Sequence, residues 1–383
     1  MKKVVLAIDS LKGCLTSQEA EEAAAEGIYS VCPECEVLPV PVADGGEGML
    51  DVLIDATEGE RITLCAHGPL MEVRDTRYGI SGDGKTAFIE MAAISGLPLV
   101  PTEKRNPMLT TTFGTGELIR NALERECRNF IIGLGGSATN DAGVGMLQAL
   151  GFRFLDKAGN ELGTGGQILS EIASVDVTSK HPLLKNCTFT AAYDVHIPFY
   201  GPQGAARLFA PQKGADTLMV ETLDSAMSHL AEIIRQTTGK DISDCPGTGA
   251  AGGMGGGLSA FLDAELKPGI QLLLDTLNFA DKIKGADFII TGEGKSDKQS
   301  LMGKVPSGIL AEGKRQQIPV ILVAGSIEDA DLLNGAGFDG VFSITPGPVS
   351  LQKAMEPDFA CENIRRTVEQ ICKIMTGSYP RSF

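Results

Sequence analysis

Residues 133–145 read GLGGSATNDAGVG, directly after the apolar run Phe130-Ile131-Ile132. The run has the character of a buried strand end. Five glycines in thirteen residues let the backbone pass close to a neighbour and turn where φ must be positive. Ser137, Thr139, Asn140 and Asp141 are residue types that accept backbone N–H bonds at a helix start. An apolar helical pattern follows through Val144, Met146, Leu147 and Leu150. The stretch therefore predicts strand, glycine loop and helix N-terminus, a combination that aims free N–H groups at an anion such as phosphate. The same pattern also reads as a glycine-rich turn with an ordinary cap.

The rhythm recurs on both sides. Residues 3–8 form an apolar strand running into Asp9-Ser10-Leu11-Lys12-Gly13, and Thr16 or Ser17 caps a helix over 18–31. Glu36–Val42 is a second strand, followed by the loop ADGGEG at 43–48 and a helix with Met49, Leu50, Leu53 and Ile54 on one face. Near the C-terminus, strands at 287–290, 319–323 and 338–344 precede a helix over 360–375. Strand–loop–helix repetition predicts an α/β chain with a parallel sheet. The middle of the chain differs, with a hairpin across 74–91 and the glycine tract GTGAAGGMGGG at 247–257. These textures predict a discontinuous Rossmann-like parallel-sheet domain, residues 1–65 and 286–383, with a second α/β domain inserted over 66–285. The segment 236–257 reads as a mobile loop.

Composition bounds the function. The 383 residues carry 43% hydrophobic and 21% charged side chains, the balance of a soluble globular protein, and the length favours two domains. A formal net charge of −16 argues against nucleic acid and against an anionic membrane surface. Asp9 interrupts the N-terminal apolar run too early for a signal peptide. Nine cysteines without a framework fit free thiols in the cytoplasm. Cys32-Pro-Glu-Cys35 is a lone CxxC, read as a chance pair near a helix end.

Several chemistries can be weighed from motifs. Gly294-Lys295-Ser296 lacks the upstream glycine of a Walker A loop, since Ile289 stands there. The spacing Gly133-x-Gly135-x-x-Ala138, with Asp156 beyond the run 152–155, imitates a dinucleotide fingerprint and keeps a nicotinamide-dependent dehydrogenase in view. The four histidines form no triad with a nucleophile elbow. More telling are Asp9, Asp44, Asp141, Asp194, Glu293 and Asp297, all at strand ends or glycine loops, accompanied by Lys12, Lys213, Lys295 and Lys304. Phosphoryl transfer wants such a set: cations or amides for phosphates, carboxylates for magnesium, and one carboxylate for the hydroxyl proton. Taken singly, each acid reads equally as a cap or a turn residue.

Seven ordered motifs resemble the bacterial glycerate kinases of the GarK/GlxK type (glycerate kinase type 1). They are DSLKG at 9–13, ADGGEG at 43–48, RNPMLTTTFGTGELI at 105–119, GLGGSATNDAGVGMLQALG at 133–151, GPQGAARLFAPQKGA at 201–215, GAAGGMGGGLSAFLDAELKPGI at 249–270 and ITGEGKSDKQSLMGKVPSG at 290–308. The resemblance implies phosphorylation of D-glycerate by ATP with Mg2+, usually to 2-phosphoglycerate, in a cleft between two α/β domains. It implies Lys12 and Asp194 as catalytic residues, Asp194 being the general base. It implies Gly135, Gly136, Ser137, Asn140 and Asp141 as the phosphate-facing loop. Asp9, Asp44, Glu293, Lys295 and Asp297 are expected around the substrate.

The chain departs from that pattern around Asp194. The family's Cys-Asp-Val-Asp-Asn-Pro stretch is here Tyr193-Asp194-Val195-His196-Ile197-Pro198, and Lys295 stands where the family usually has arginine. Lysine keeps the charge and loses the bidentate fork. The competing readings are a catalytically weak binding or sensor protein on the same fold, and the dehydrogenase.

Overall fold

The computed structural model describes residues 1–43, 48–194 and 196–377. In chain order its strands are β1 (Lys3–Ile8), β2 (Glu36–Pro39), β3 (Glu60–His67), β4 (Val73–Ile80), β5 (Thr86–Glu90), β6 (Asn129–Gly133), β7 (Arg153–Leu155), β8 (Ser174–Asp176), β9 (Thr188–Tyr193), β10 (Glu265–Pro268), β11 (Phe288–Ser296), β12 (Val320–Ile327) and β13 (Gly340–Ser343). The chain divides into two compact units, Met1–Asp44 with Ile270–Phe383, and Gly45–Gly269.

The first unit is built on a five-stranded sheet of order β13-β12-β11-β1-β2, parallel throughout. Both chain ends contribute, with Val5 paired to Ile289 and Leu6 to Ile290. All five expected strands lie in this sheet. Its central strands are buried on both faces, which explains their unbroken apolar runs. The helix Ser17–Tyr29 is started by a capping box, Thr16 with Glu19, and the long C-terminal helix Pro357–Thr376 packs beside it. A Cβ on Gly27 would lie 2.4 Å from the Arg365 carbonyl oxygen, so glycine is what lets the two helices close together.

The second unit has a six-stranded mixed sheet of order β10-β9-β6-β5-β4-β3. β3, β4 and β5 run as an antiparallel meander, and β5, β6, β9 and β10 are parallel. The helix Met49–Ala56 packs on β4 and β5, and Gly79 leaves space for Ile54. The first unit therefore ends before this helix, not at residue 65. Of the segment 236–257 expected to be a mobile loop, 236–238 end the helix Thr217–Thr238, and the glycine-rich part enters the buried helical run Ala250–Leu262, which is kinked by left-handed backbone at Ala251, Gly252 and Gly253. Added Cβ atoms at Gly249 and Gly252 would lie 2.2 Å from the Pro198 carbonyl and 2.1 Å from the Thr139 carbonyl, so its glycines serve backbone-to-backbone packing.

Candidate active site

In an open parallel sheet, loops at the carboxyl ends of the strands collect the chemistry, above all where the strand order reverses. In the first unit that point lies between β1 and β11, the two strands from opposite chain ends. Asp9 directly follows β1, and its carboxylate accepts from the Ser10 amide at 2.7 Å. Glu293 sits within β11, which runs on to Ser296, beyond the strand end expected from sequence. Its carboxylate accepts from the Ser296 hydroxyl at 3.0 Å. Burial pushes the Glu293 carboxyl above its ordinary range, opposed by hydrogen bonds from Ser300 and Ser296 and by the charge of Lys304. Asp9 and Glu293 are only 5% and 7% exposed, yet both line a pocket of about 870 Å³. Lys12, Lys295 and Lys304 line it too.

Two further expected members have partners of their own. Asp297 caps the short turn Lys298–Leu301, accepting from the Gln299 amide at 2.7 Å. Lys295 pairs with Glu328 at 3.0 Å and lies 4.0 Å from Asp297. Asp44 lies outside the described residues.

The second unit has its own set at the carboxyl ends of its parallel strands. Glu90 ends β5, Gly133 ends β6, and Asp194 follows β9 as an exposed residue. Registers pair Glu90 with Gly133 and Gly133 with Ala192, so these ends stand side by side. A pocket of about 790 Å³ is lined by Glu90, Asp75, Arg77, Gly135 and Gly136 among others.

The glycine loop proves more structural than its sequence announced. Asp141 is fully buried. Its carboxylate accepts from the Thr112 amide and hydroxyl at 2.7 and 2.9 Å, the Thr111 hydroxyl at 3.3 Å, and the Gly143 and Gly145 amides at 3.2 and 3.3 Å. The Ser137 hydroxyl accepts from Lys213 Nζ at 2.8 Å, and the same ammonium donates to the Thr139 carbonyl at 2.6 Å. Burial pulls Lys213 down to about 7, opposed by the charge of Asp141. Asn140 is buried and donates to Met227 Sδ. Of the expected loop residues, Gly135 and Gly136 alone line the pocket. The helix that follows, Val144–Ala149, has six residues. The reason is local: Asp141 finds its donors inside the fold, so it cannot also face a ligand.

The dinucleotide spacing dissolves in the same way. β7 pairs antiparallel with β8 in a separate two-stranded sheet, and Asp156 is a turn residue accepting from the Ala158 and Asn160 amides. β6 does have a parallel neighbour across the crossover that follows the glycine loop, but that neighbour is β9, so the acidic residue of the fingerprint does not stand at its strand end.

Two features were missed from sequence. Glu90 accepts from the Leu50 amide at 2.9 Å, at the start of the helix Met49–Ala56. The other is an apolar wall on the first pocket, formed by Val349, Leu351, Met355 and Phe359. Leu351 and Phe359 come from two helices, Leu351–Ala354 and Pro357–Thr376, with Met355 between them, so the four-residue spacing does not mark one continuous helix face.

Among the described residues, no group of three or more His, Cys, Asp or Glu side chains could hold a metal ion, and no helix is long and apolar enough to cross a membrane.

Fold and pockets together define an α/β enzyme with its polar groups at strand carboxyl ends. The chain belongs to the glycerate kinase family, whose model matches residues 4–376. It is 47% identical over 370 residues to a glycerate 2-kinase of Escherichia coli K12, covering 96% of this chain and 97% of that one. It is 50% identical over 343 residues to a glycerate kinase of Haemophilus influenzae, covering 89% and 91%. A crystal structure described provisionally as glycerate kinase 2 from Salmonella typhimurium LT2 matches with TM-score 0.87 and 42% identity over 98% of each chain.

Proposed function

We propose that this chain transfers the γ-phosphoryl group of ATP to D-glycerate, with magnesium, giving 2-phosphoglycerate. The observation that supports it most is the pair of buried carboxylates, Asp9 and Glu293, beside Lys12 and Lys304 in one pocket of a chain from this family. Magnesium is commonly held by one or two carboxylates together with substrate phosphates, and this pair fits that donor set. Bound there, the ion would neutralise charge on the phosphoryl group.

The remaining work falls to side chains. Lys12 and Lys304 offer cations to phosphoryl oxygens. Asp194, held at the end of β9, takes the proton of the attacking hydroxyl. The amides of Gly135 and Gly136, with Arg77 lining the same pocket, are the proposed contacts for the acid substrate. The test is incubation with ATP, magnesium and D-glycerate, followed by phosphorus and carbon NMR of the product. Phosphorus attached at carbon 2 is expected; no phosphorylated glycerate would refute the proposal.

A further inference from the structure

The pocket of the first unit is larger and more apolar than a three-carbon acid needs. Val349, Leu351 and Met355 line it while remaining 40%, 75% and 38% exposed. Exposed apolar side chains gathered at a pocket mark a ligand surface. Phe359 joins them, and Lys353 Nζ lies 5.0 Å from the centre of its ring. Glycerate has no apolar surface to set against such a wall. The polar members sit on other elements: Asp9 and Lys12 after β1, Glu293 and Lys295 on β11, and Lys304 at the start of the helix Val305–Gln316. The pocket thus asks for a ligand with one flat apolar end and one polyanionic end.

Resting on the kinase reading, we infer that this pocket is the adenine-nucleotide site, with the base against Leu351, Met355 and Phe359 and the phosphates toward Lys12 and Lys304. The glycine loop of the second unit then has no nucleotide role. Its Ser137 and Asp141 are buried and hydrogen-bonded within the fold, and Asn140 is buried, its amide nitrogen donating to Met227 Sδ, so none of the three faces the second pocket. Cys14 lines the same pocket and provides a reporter.

The experiment measures ADP binding by calorimetry and Cys14 alkylation by mass spectrometry, with exposed Cys65 and Cys245 of the second unit as internal references. ADP is expected to slow labelling of Cys14 and leave Cys65 and Cys245 unchanged. Met355→Glu and, separately, Lys304→Ala should each weaken ADP by about tenfold, or about 1.4 kcal/mol, with KM for glycerate unchanged. Met355 is well exposed, so its variant is expected to fold; circular dichroism checks this. If the wild type phosphorylates glycerate while both variants bind ADP normally and Cys14 labels at its usual rate, the nucleotide sits elsewhere and this inference falls alone. Protection of Cys14 without phosphoryl transfer keeps the site and refutes the kinase reading. No ADP binding by the wild type overturns both.

Discussion

Two aspartates in the second unit show how differently one residue type can be used. Asp194 is exposed at the end of a rigid strand, and Asp141 is buried among five donors. A general base typically contributes ~10²–10⁴ in rate, so Asp194→Asn is expected to lower kcat at least ~10²-fold with nucleotide affinity and folding intact. Steady-state kinetics decides this; near-normal turnover would move the base elsewhere. Asp141→Asn should instead cost stability. Asparagine offers one acceptor atom where the carboxylate offers two, and its amide N–H₂ meets an N–H or O–H donor. A loss of about 2–4 kcal/mol is expected in urea unfolding. Unchanged stability would show that the carboxylate is not the staple of this loop. Sequence marked Asp141 through its glycine loop and Asp194 through its place after a strand-like run and the family resemblance, but burial separates their roles, and burial is not written in a six-residue window.

Glu21 was invisible from sequence, because it reads as one more acid in a helix's first turns. Folding buries it behind β1, where it accepts from the Ile8 amide at 3.3 Å. Burial pushes its carboxyl from the ordinary 4.5 up to about 8. The folded state therefore holds a proton that the unfolded chain releases. Its stabilising effect is complete below about pH 4.5 and disappears as pH rises through about 8. Glu21→Gln removes this titration. Between pH 5 and 8 the wild type should lose more unfolding free energy than the variant, by a few kcal/mol at most. Parallel denaturation curves for the two proteins across that range would count against the buried, protonated glutamate.

At the scale of elements, the strands of the first sheet were legible and the glycine tracts were not. Strands buried on both faces carry unbroken apolar runs, which a sequence displays directly. A glycine run has two opposite uses: freedom of the chain, or close packing of one backbone on another. The helix Ala250–Leu262 is the second case. Its register against the Thr139 carbonyl is a tertiary fact, so the sequence suggested a mobile loop in its place. Gly252→Ala should accordingly be severe. It adds a Cβ 2.1 Å from that oxygen at φ +65° and is expected to cost about 3 kcal/mol or more. Gly285→Ala is the control, with φ +72° and nothing within 4 Å, and should cost about 1 kcal/mol. Thermal melts of the pair measure the difference; equal losses would mean that the close approach carries no weight.

At the scale of the molecule, the rhythm common to both chain ends was enough to place them in one sheet, while the exact seams escaped it. The helix Met49–Ala56 has the same apolar face whichever sheet it covers, so its allegiance to β4 and β5 is decided by fit and not by pattern. The central pairing of the first sheet, β1 with β11, also sets a timetable. A ribosome releases β1 and β2 long before β11, and at about 5–20 residues per second the interval is roughly 15–60 s. Through that interval the apolar run Val4–Ile8 has one sheet neighbour instead of two. The inserted segment emerges complete and can fold first. Chains halted on the ribosome near residue 310, with roughly the last 35–40 residues, β11 among them, still inside the exit tunnel, should therefore resist protease across 48–269 and be cut within 1–43; protection of both segments would contradict this order. Birth of the protein thus passes through a stage in which its most apolar edge is open to other nascent chains, and its yield in a crowded cell will depend on how well that edge is shielded until the last third of the chain arrives.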